Sequence, residues 1–108
     1  MYLHIPIRRA YDHSFGPKCT NSDIFQRMGM SLVDAAIDGY NTVLFMYGQT
    51  SSGKTFTLFG SDGEAGLVEH ALTRVAHRVN SSTEFEYVIR MTYSELYNEE
   101  IKDLLSQR

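Results

Sequence analysis

Apolar residues recur along 24–37 at helical spacing. Ile24, Met28, Leu32 and Ala36 form a stripe, with Phe25, Val33 and Ile37 beside it. This predicts an amphipathic helix. Thr20, Asn21 and Ser22 are candidate N-caps, Asp23 suits the first turn, and Gly39 suits the residue past the end. Residues 41–47 show no alternation. Val43-Leu44-Phe45-Met46-Tyr47 is a continuous apolar run, as in a strand covered on both faces. Lys54 to Phe59 can start a helix, interrupted at Gly60-Ser61-Asp62-Gly63. The helix resumes near Gly66. Leu67, Val68, Ala71, Leu72, Val75, Ala76 and Val79 form one face; Glu69, His70, Thr73, Arg74, His77 and Arg78 form the other. Asn80-Ser81-Ser82-Thr83 is a polar turn. Phe85, Tyr87, Ile89, Met91 and Tyr93 then alternate with Glu86, Val88, Arg90, Thr92 and Ser94, which predicts a strand of period two. Glu99 to Leu105 predicts a short terminal helix. Near the start, Tyr2 to Tyr11 has a strand-like Leu3/Ile5/Ile7 alternation interrupted by Pro6, and Gly16-Pro17-Lys18 marks a turn.

This order of strands and helices is an α/β pattern. A parallel-type central strand needs neighbours on both edges, and the chain supplies few. Residues 1–108 contain no repeats, linkers or low-complexity stretches and are read as one partial domain. A chain of this length can bury about two-thirds of its unfolded surface. Net charge is −3 and no basic stripe runs along any segment, so a nucleic-acid partner is not expected. No apolar run approaches the roughly 18 residues that span a bilayer, and Met1 to Arg9 lacks a signal-peptide core, so no membrane association is expected. Cys19 is the single cysteine, which excludes an intrachain disulfide and fits a reducing, intracellular setting.

Residues 48–55 read Gly48-Gln49-Thr50-Ser51-Ser52-Gly53-Lys54-Thr55, a complete G-x-x-x-x-G-K-[ST] phosphate-binding loop. It lies between the apolar run and the start of a helix, which is the context its chemistry needs. Glycines let the backbone wrap a phosphate, N–H groups point inward, and the helix N-terminus adds partial positive charge. Lys54 would reach the β- and γ-phosphates, and the Thr55 hydroxyl would ligate Mg²⁺. The bland alternative, a flexible Gly/Ser loop that binds nothing, does not explain the flanking pattern.

The residues around this loop resemble the kinesin motor domain. The stretch Gly39-Tyr40-Asn41, the apolar run, and Tyr47 through Thr55 followed by Phe56-Thr57-Leu58-Phe59-Gly60 is similar to that family's nucleotide-binding signature. A generic phosphate loop does not require Tyr-Gly-Gln-Thr before the lysine; myosin, a relative with the same core, typically carries Glu-Ser where Gln49-Thr50 stand. Tyr11-Asp12-His13-Ser14-Phe15 resembles an aromatic-Asp-x-x-Phe segment of the family. Gly66 to Leu72 resembles the start of its second helix half, and Ser94 to Leu105 resembles its Tyr-Asn-Glu-x-Ile-x-Asp-Leu-Leu block. The likeness runs over about 11–105 in the family's order.

The resemblance implies an incomplete α/β motor core, a partial sheet flanked by helices. It implies that Gly48, Gln49, Thr50, Ser51, Ser52, Gly53, Lys54 and Thr55 bind the phosphates of ATP with Mg²⁺, and that Phe56 lies near the adenine. For Phe56, packing in the first helical turn is the equal alternative. It further implies microtubules as partner, through parts of the motor mostly outside this sequence, and a cytoplasmic, cytoskeletal setting. Two family features are not found. Neither Asn-x-x-Ser-Ser-Arg-Ser-His nor Asp-Leu-Ala-Gly-x-Glu, the two γ-phosphate switches, occurs here. Asn80 to Thr83 lacks the Arg and His, and Asp62 to Gly66 follows no apolar strand. The base-cupping Arg-x-Arg-Pro is absent too, and Arg8-Arg9 reads as solvated. The chain is expected to be the N-terminal part of a motor domain without its first strand, with weak or no ATPase activity alone. Its Gly60–Gly66 loop is short. The alternatives are another phosphate-loop NTPase, such as a small-molecule kinase, and a non-catalytic degenerate motor.

The remaining polar and aromatic groups have plainer readings. His70 and His77 lie two turns apart, about 10 Å, too far to share one metal, and read as solvated; His4 and His13 have no ligand-like neighbours. Glu99 and Glu100 read as a solvated pair, since adjacent helical residues do not face each other. Tyr87, Tyr93 and Tyr97 read as sheet packing, and Met28, Met30, Met46 and Met91 as core filler.

Overall fold

A computed structural model describes residues 10–106. The strand reading of Tyr2 to Tyr11, His4 and Arg8-Arg9 therefore lie wholly or mostly outside the described residues. Helix α1 starts at a capping box. The Thr20 hydroxyl accepts from the Asp23 N–H at 3.2 Å, and the Thr20 N–H donates to the Asp23 carboxylate at 2.9 Å. The Thr20 N–H first, and the Thr20 hydroxyl donating to the same carboxylate at 2.8 Å second, hold the Asp23 carboxyl below its ordinary pKa. α1 runs Asn21–Ile24, passes through a π-helical segment Phe25–Gly29, and continues as Met30–Ile37. It ends where expected: Gly39 has φ 100°, and the Tyr40 N–H donates back to the Ala35 carbonyl at 3.0 Å.

The π segment carries one extra residue per turn and shifts the phase of the apolar stripe. Phe25 is buried and Val33 and Ile37 are partly covered, whereas Met28, Met30 and Ala36 are exposed. The expected stripe through Met28 and Ala36, and Met28 and Met30 as core filler, are thus corrected.

Helix α2, Lys54–Phe59, leads into a tight hairpin, β1 Gly60–Ser61 paired antiparallel with β2 Glu64–Ala65. Helix α3, Leu67–Asn80, then returns along α1 and α2. Leu67, 1% exposed, sits at the junction. α3 meets α1 largely through charge. The Arg74 guanidinium donates to both oxygens of Asp34, at 2.9 and 2.8 Å, and Arg78 reaches Asp34 at 3.5 Å and Asp38 at 3.1 Å. Arg74 holds the Asp34 carboxyl below its ordinary pKa by hydrogen bonding first and charge second. Asp34 thereby turns the Arg74/Arg78 side of α3 inward, and Leu72 and Ala76 of the expected apolar face are left exposed. His70 is corrected for the same reason. Its ring stacks on Phe25 with centroids 5.4 Å apart, while His77 stays exposed.

Three expected elements take other forms. Residues 41–47 and 85–93 form no strand among the described residues. Their aromatic side chains are correspondingly open: Phe45 is 76% exposed and Tyr47 93%. Glu99 to Leu105 is not a helix. Ser94–Tyr97 (β3) and Glu100–Asp103 (β4) form an antiparallel hairpin, in register Leu96↔Ile101. Asn98 and Glu99 form its two-residue turn with φ of 50° and 65°, the double left-handed geometry that suits strand twist. Tyr93 and Tyr97 are exposed there, so sheet packing does not describe them.

The result is a partial α/β core of packed helices and two short antiparallel hairpins. Its accessible surface is 10228 Å², against about 6,100 Å² for a folded monomer of this mass.

Candidate functional site

The loop 48–53 stands between the extended run ending at Tyr47 and the first turn of α2. Its residues are exposed. The Ser52 N–H donates to the Gln49 carbonyl at 3.3 Å, closing a turn, and the Thr57 N–H donates to Gly53 at 2.9 Å as the first bond of α2. Ser51 has φ 63° and Gly53 has φ 89°, ψ 10°. Left-handed residues alternating with ordinary ones curl successive N–H groups toward one centre, a concavity suited to an anion. Gly53 is the residue for which this matters most: the turn from loop to helix is made at its φ, where a side chain costs about 1–2 kcal/mol.

Lys54 lies inside the loop's reach. Its ammonium donates to the Gly48 carbonyl at 2.8 Å and to the Gln49 carbonyl at 2.6 Å. The lysine thus folds the loop back on itself, and all its bonds are to exposed backbone oxygens. An ammonium has three donors and a flexible stem, so these bonds can be exchanged for phosphate oxygens. Thr50, Ser51 and Ser52 present side chains to solvent beside it. Thr55 follows in the first turn with its side chain exposed. Mg²⁺ commonly takes one or two protein oxygens and completes its shell with phosphate and water. The exposed Thr55, one protein hydroxyl at the start of α2, fits that requirement. Phe56 is exposed, so packing in a core does not describe it.

Sequence reasoning missed one residue that touches this unit. Asn21 figured only as a candidate cap, yet Thr20 is the cap and Asn21 is 2% exposed. Its amide donates to the Phe56 carbonyl at 3.1 Å and the Ala65 carbonyl at 3.2 Å. The available signal was its position four residues before Phe25, on the covered face of α1.

Elsewhere, an open cavity of about 710 Å³ is lined by Ile37, Asp38, Arg78 and the 81–87 segment, and no loop residue contributes to it. Asn80 to Thr83 serves as the expected turn out of α3: the Ser81 N–H caps the helix on His77 at 3.1 Å. Among the described residues, no three His, Cys, Asp or Glu side chains gather to hold a metal. Cys19 is partly covered, and burial followed by the Asp23 carboxylate pushes its thiol pKa up, away from reactivity.

Comparison with known proteins agrees with the geometry. Residues 6–108 match the family model described as the kinesin motor domain. The chain is 41% identical over 97 residues to kinesin-like protein KIN-7N of Arabidopsis thaliana, covering 90% of this chain and 12% of that protein. It is 45% identical over 97 residues to kinesin-like protein KIN-7L of Oryza sativa subsp. japonica, covering 90% and 15%. Against human centromere-associated protein E it is 36% identical over 95 residues, covering 88% and 4%. The chain thus spans less than a sixth of the length of these relatives. The phosphate loop, its flanks and the 94–105 hairpin all fall inside one matched span, and the chain belongs to the kinesin motor domain family.

Proposed function

We propose that this chain is the ATP-binding segment of a kinesin-like, microtubule-dependent motor ATPase. In the complete protein it would couple ATP binding and hydrolysis to microtubule-based movement in the cytoplasm. The carrying observation is the complete Gly48–Thr55 motif, curled by Ser51 and Gly53 and closed on itself by Lys54. In this reading the backbone amides of Gly48, Gln49, Thr50, Ser51, Ser52 and Gly53 cradle the phosphates of ATP. Lys54 leaves its two carbonyls for the β- and γ-phosphates. Thr55 offers its hydroxyl to Mg²⁺, which when bound neutralises phosphate charge. The exposed Phe56 ring is available to the adenine.

Hydrolysis requires a placed water and charge stabilisation beyond phosphate positioning. The sequence holds neither switch motif that the family uses for this. Binding without efficient turnover is therefore the reading for the 108-residue chain by itself. A fluorescent ATP analogue titrated with Mg²⁺ into the chain tests the first part. Saturable binding that Lys54→Ala abolishes is expected, and binding that Lys54→Ala leaves intact refutes it. Phosphate release with and without microtubules tests the second, and robust microtubule-stimulated turnover by the chain alone would refute that.

A further inference from the structure

Asn21 is the buried polar side chain nearest the phosphate loop, and it faces the loop's helix from a different element. Three hydrogen bonds leave it. The side-chain amide donates to the Phe56 carbonyl at 3.1 Å and to the Ala65 carbonyl at 3.2 Å. The backbone N–H donates to the Glu64 carboxylate at 2.7 Å. The first turn of α1 is thereby tied to the body of α2 and to the hairpin that follows it. Among the described residues, no other side chain of a different element hydrogen-bonds α2. α2 has six residues, far below the length at which a helix stands alone in water. Its direction must be set from outside.

The Phe56 carbonyl lies in the last turn of α2, where acceptors draw on partners from beyond the helix. It takes the Gly60 N–H and the Asn21 amide. We propose that Asn21 is a positioning residue for the phosphate loop. By holding this carbonyl it fixes the axis of α2, so that the amides at Lys54 and Thr55 and the ring of Phe56 point at one place. The proposal rests on the nucleotide-binding reading above. A leucine of similar volume would take the side-chain donor from both part-buried carbonyls, leaving the Phe56 one with the Gly60 N–H alone, and a serine would retain one donor.

The test measures affinity of the full chain for a fluorescent ATP analogue with Mg²⁺, alongside thermal unfolding. The variants are Asn21→Leu, Asn21→Ser, Arg74→Met and Lys54→Ala. Arg74→Met breaks the α1–α3 ion pair and touches no part of α2. It should lower the melting temperature while leaving analogue affinity within about twofold of the parent. Asn21→Leu should weaken affinity about tenfold, with Asn21→Ser between it and the parent. Parent-like affinity in Asn21→Leu overturns the proposal. So does a loss in Arg74→Met equal to that in Asn21→Leu at matched melting temperature, because the effect is then only stability. If Asn21→Leu fails to fold, parent-like affinity in Asn21→Ser overturns it. A parent chain that does not bind the analogue, or Lys54→Ala binding as well as the parent, refutes the nucleotide reading itself and this proposal with it.

Discussion

Gly53 and Gly66 flank α2 and its hairpin, and alanine at each should fail for a different reason. Gly66 has φ −88° and ψ 174°, a conformation open to any residue. A methyl group there would nevertheless land on the backbone of Phe59, Gly60 and Leu58. Backbone cannot rotate out of the way as a side chain can. The cost should reach the upper end of overpacking, about 3 kcal/mol. Gly53 is the reverse case. Its φ of 89° is left-handed, but nothing lies within 4 Å of an added Cβ. The left-handed penalty of about 1–2 kcal/mol is offset by about 0.4–1 kcal/mol from the stiffer unfolded chain, leaving about 1 kcal/mol. At about 1.4 kcal/mol per tenfold, Gly66→Ala should shift the folding equilibrium about a hundredfold and Gly53→Ala about fivefold. Urea unfolding followed by circular dichroism reads both, through the midpoint at unchanged slope. Asparagine tolerates the left-handed region, so Gly53→Asn should recover most of the Gly53→Ala loss, whereas Gly66→Asn should be no better than Gly66→Ala. Equal costs at the two positions, or a Gly66→Ala variant as stable as the parent, would refute the assignment of sterics to one and backbone conformation to the other.

Three further outcomes are expected. Leu67→Ala removes the side chain at the junction of α2 and α3 and should cost about 2–3 kcal/mol in the same urea assay; a loss below 1 kcal/mol would mean that the junction is not a packed core. The Asp34 carboxyl is held below its ordinary pKa in the folded state by Arg74. Its contribution is therefore fully present above the unfolded value of about 4 and lost as pH falls through the lower folded value. The stability gap between the parent and Asp34→Asn should be constant from pH 7 to about 5 and shrink below about pH 4; a gap that changes between pH 6 and 8 would place its origin elsewhere. Thr55→Ala should make analogue binding insensitive to Mg²⁺ and to its removal by chelation, and an unchanged Mg²⁺ dependence would take Thr55 out of the metal's shell.

Helical segments and the phosphate loop were legible from local pattern. The helix start within Thr20 to Ser22, the stop at Gly39, the body of α3 and the Gly48–Thr55 loop each depend on residues within a few positions of one another. Hydrogen bonds of a helix and of a tight loop close locally, so the residues that make them are adjacent in the chain. The 41–47 and 85–93 runs carry strand patterns equally clear, but a strand is completed only by a neighbour, and no neighbour for either lies among the described residues. The 98–99 turn was misread because an Asn-Glu pair with both residues left-handed is a hairpin geometry, and the charged and apolar residues of 100–105 after it imitate a helix.

Packing faces were legible only in part: Phe25 and Leu67 are buried as the pattern places them, but other positions are not. Hydrophobicity alone places Leu72 and Ala76 inside and His70 and Arg74 outside. The opposite holds because one π turn rotates the stripe of α1 and Asp34 then draws Arg74 and Arg78 toward it. Asn21 escaped for the same reason: its three partners lie 35 to 44 residues away. The chain's local order was enough to recognise a kinesin phosphate loop. What aims that loop is a set of contacts between distant residues, which come together only when the helices pack.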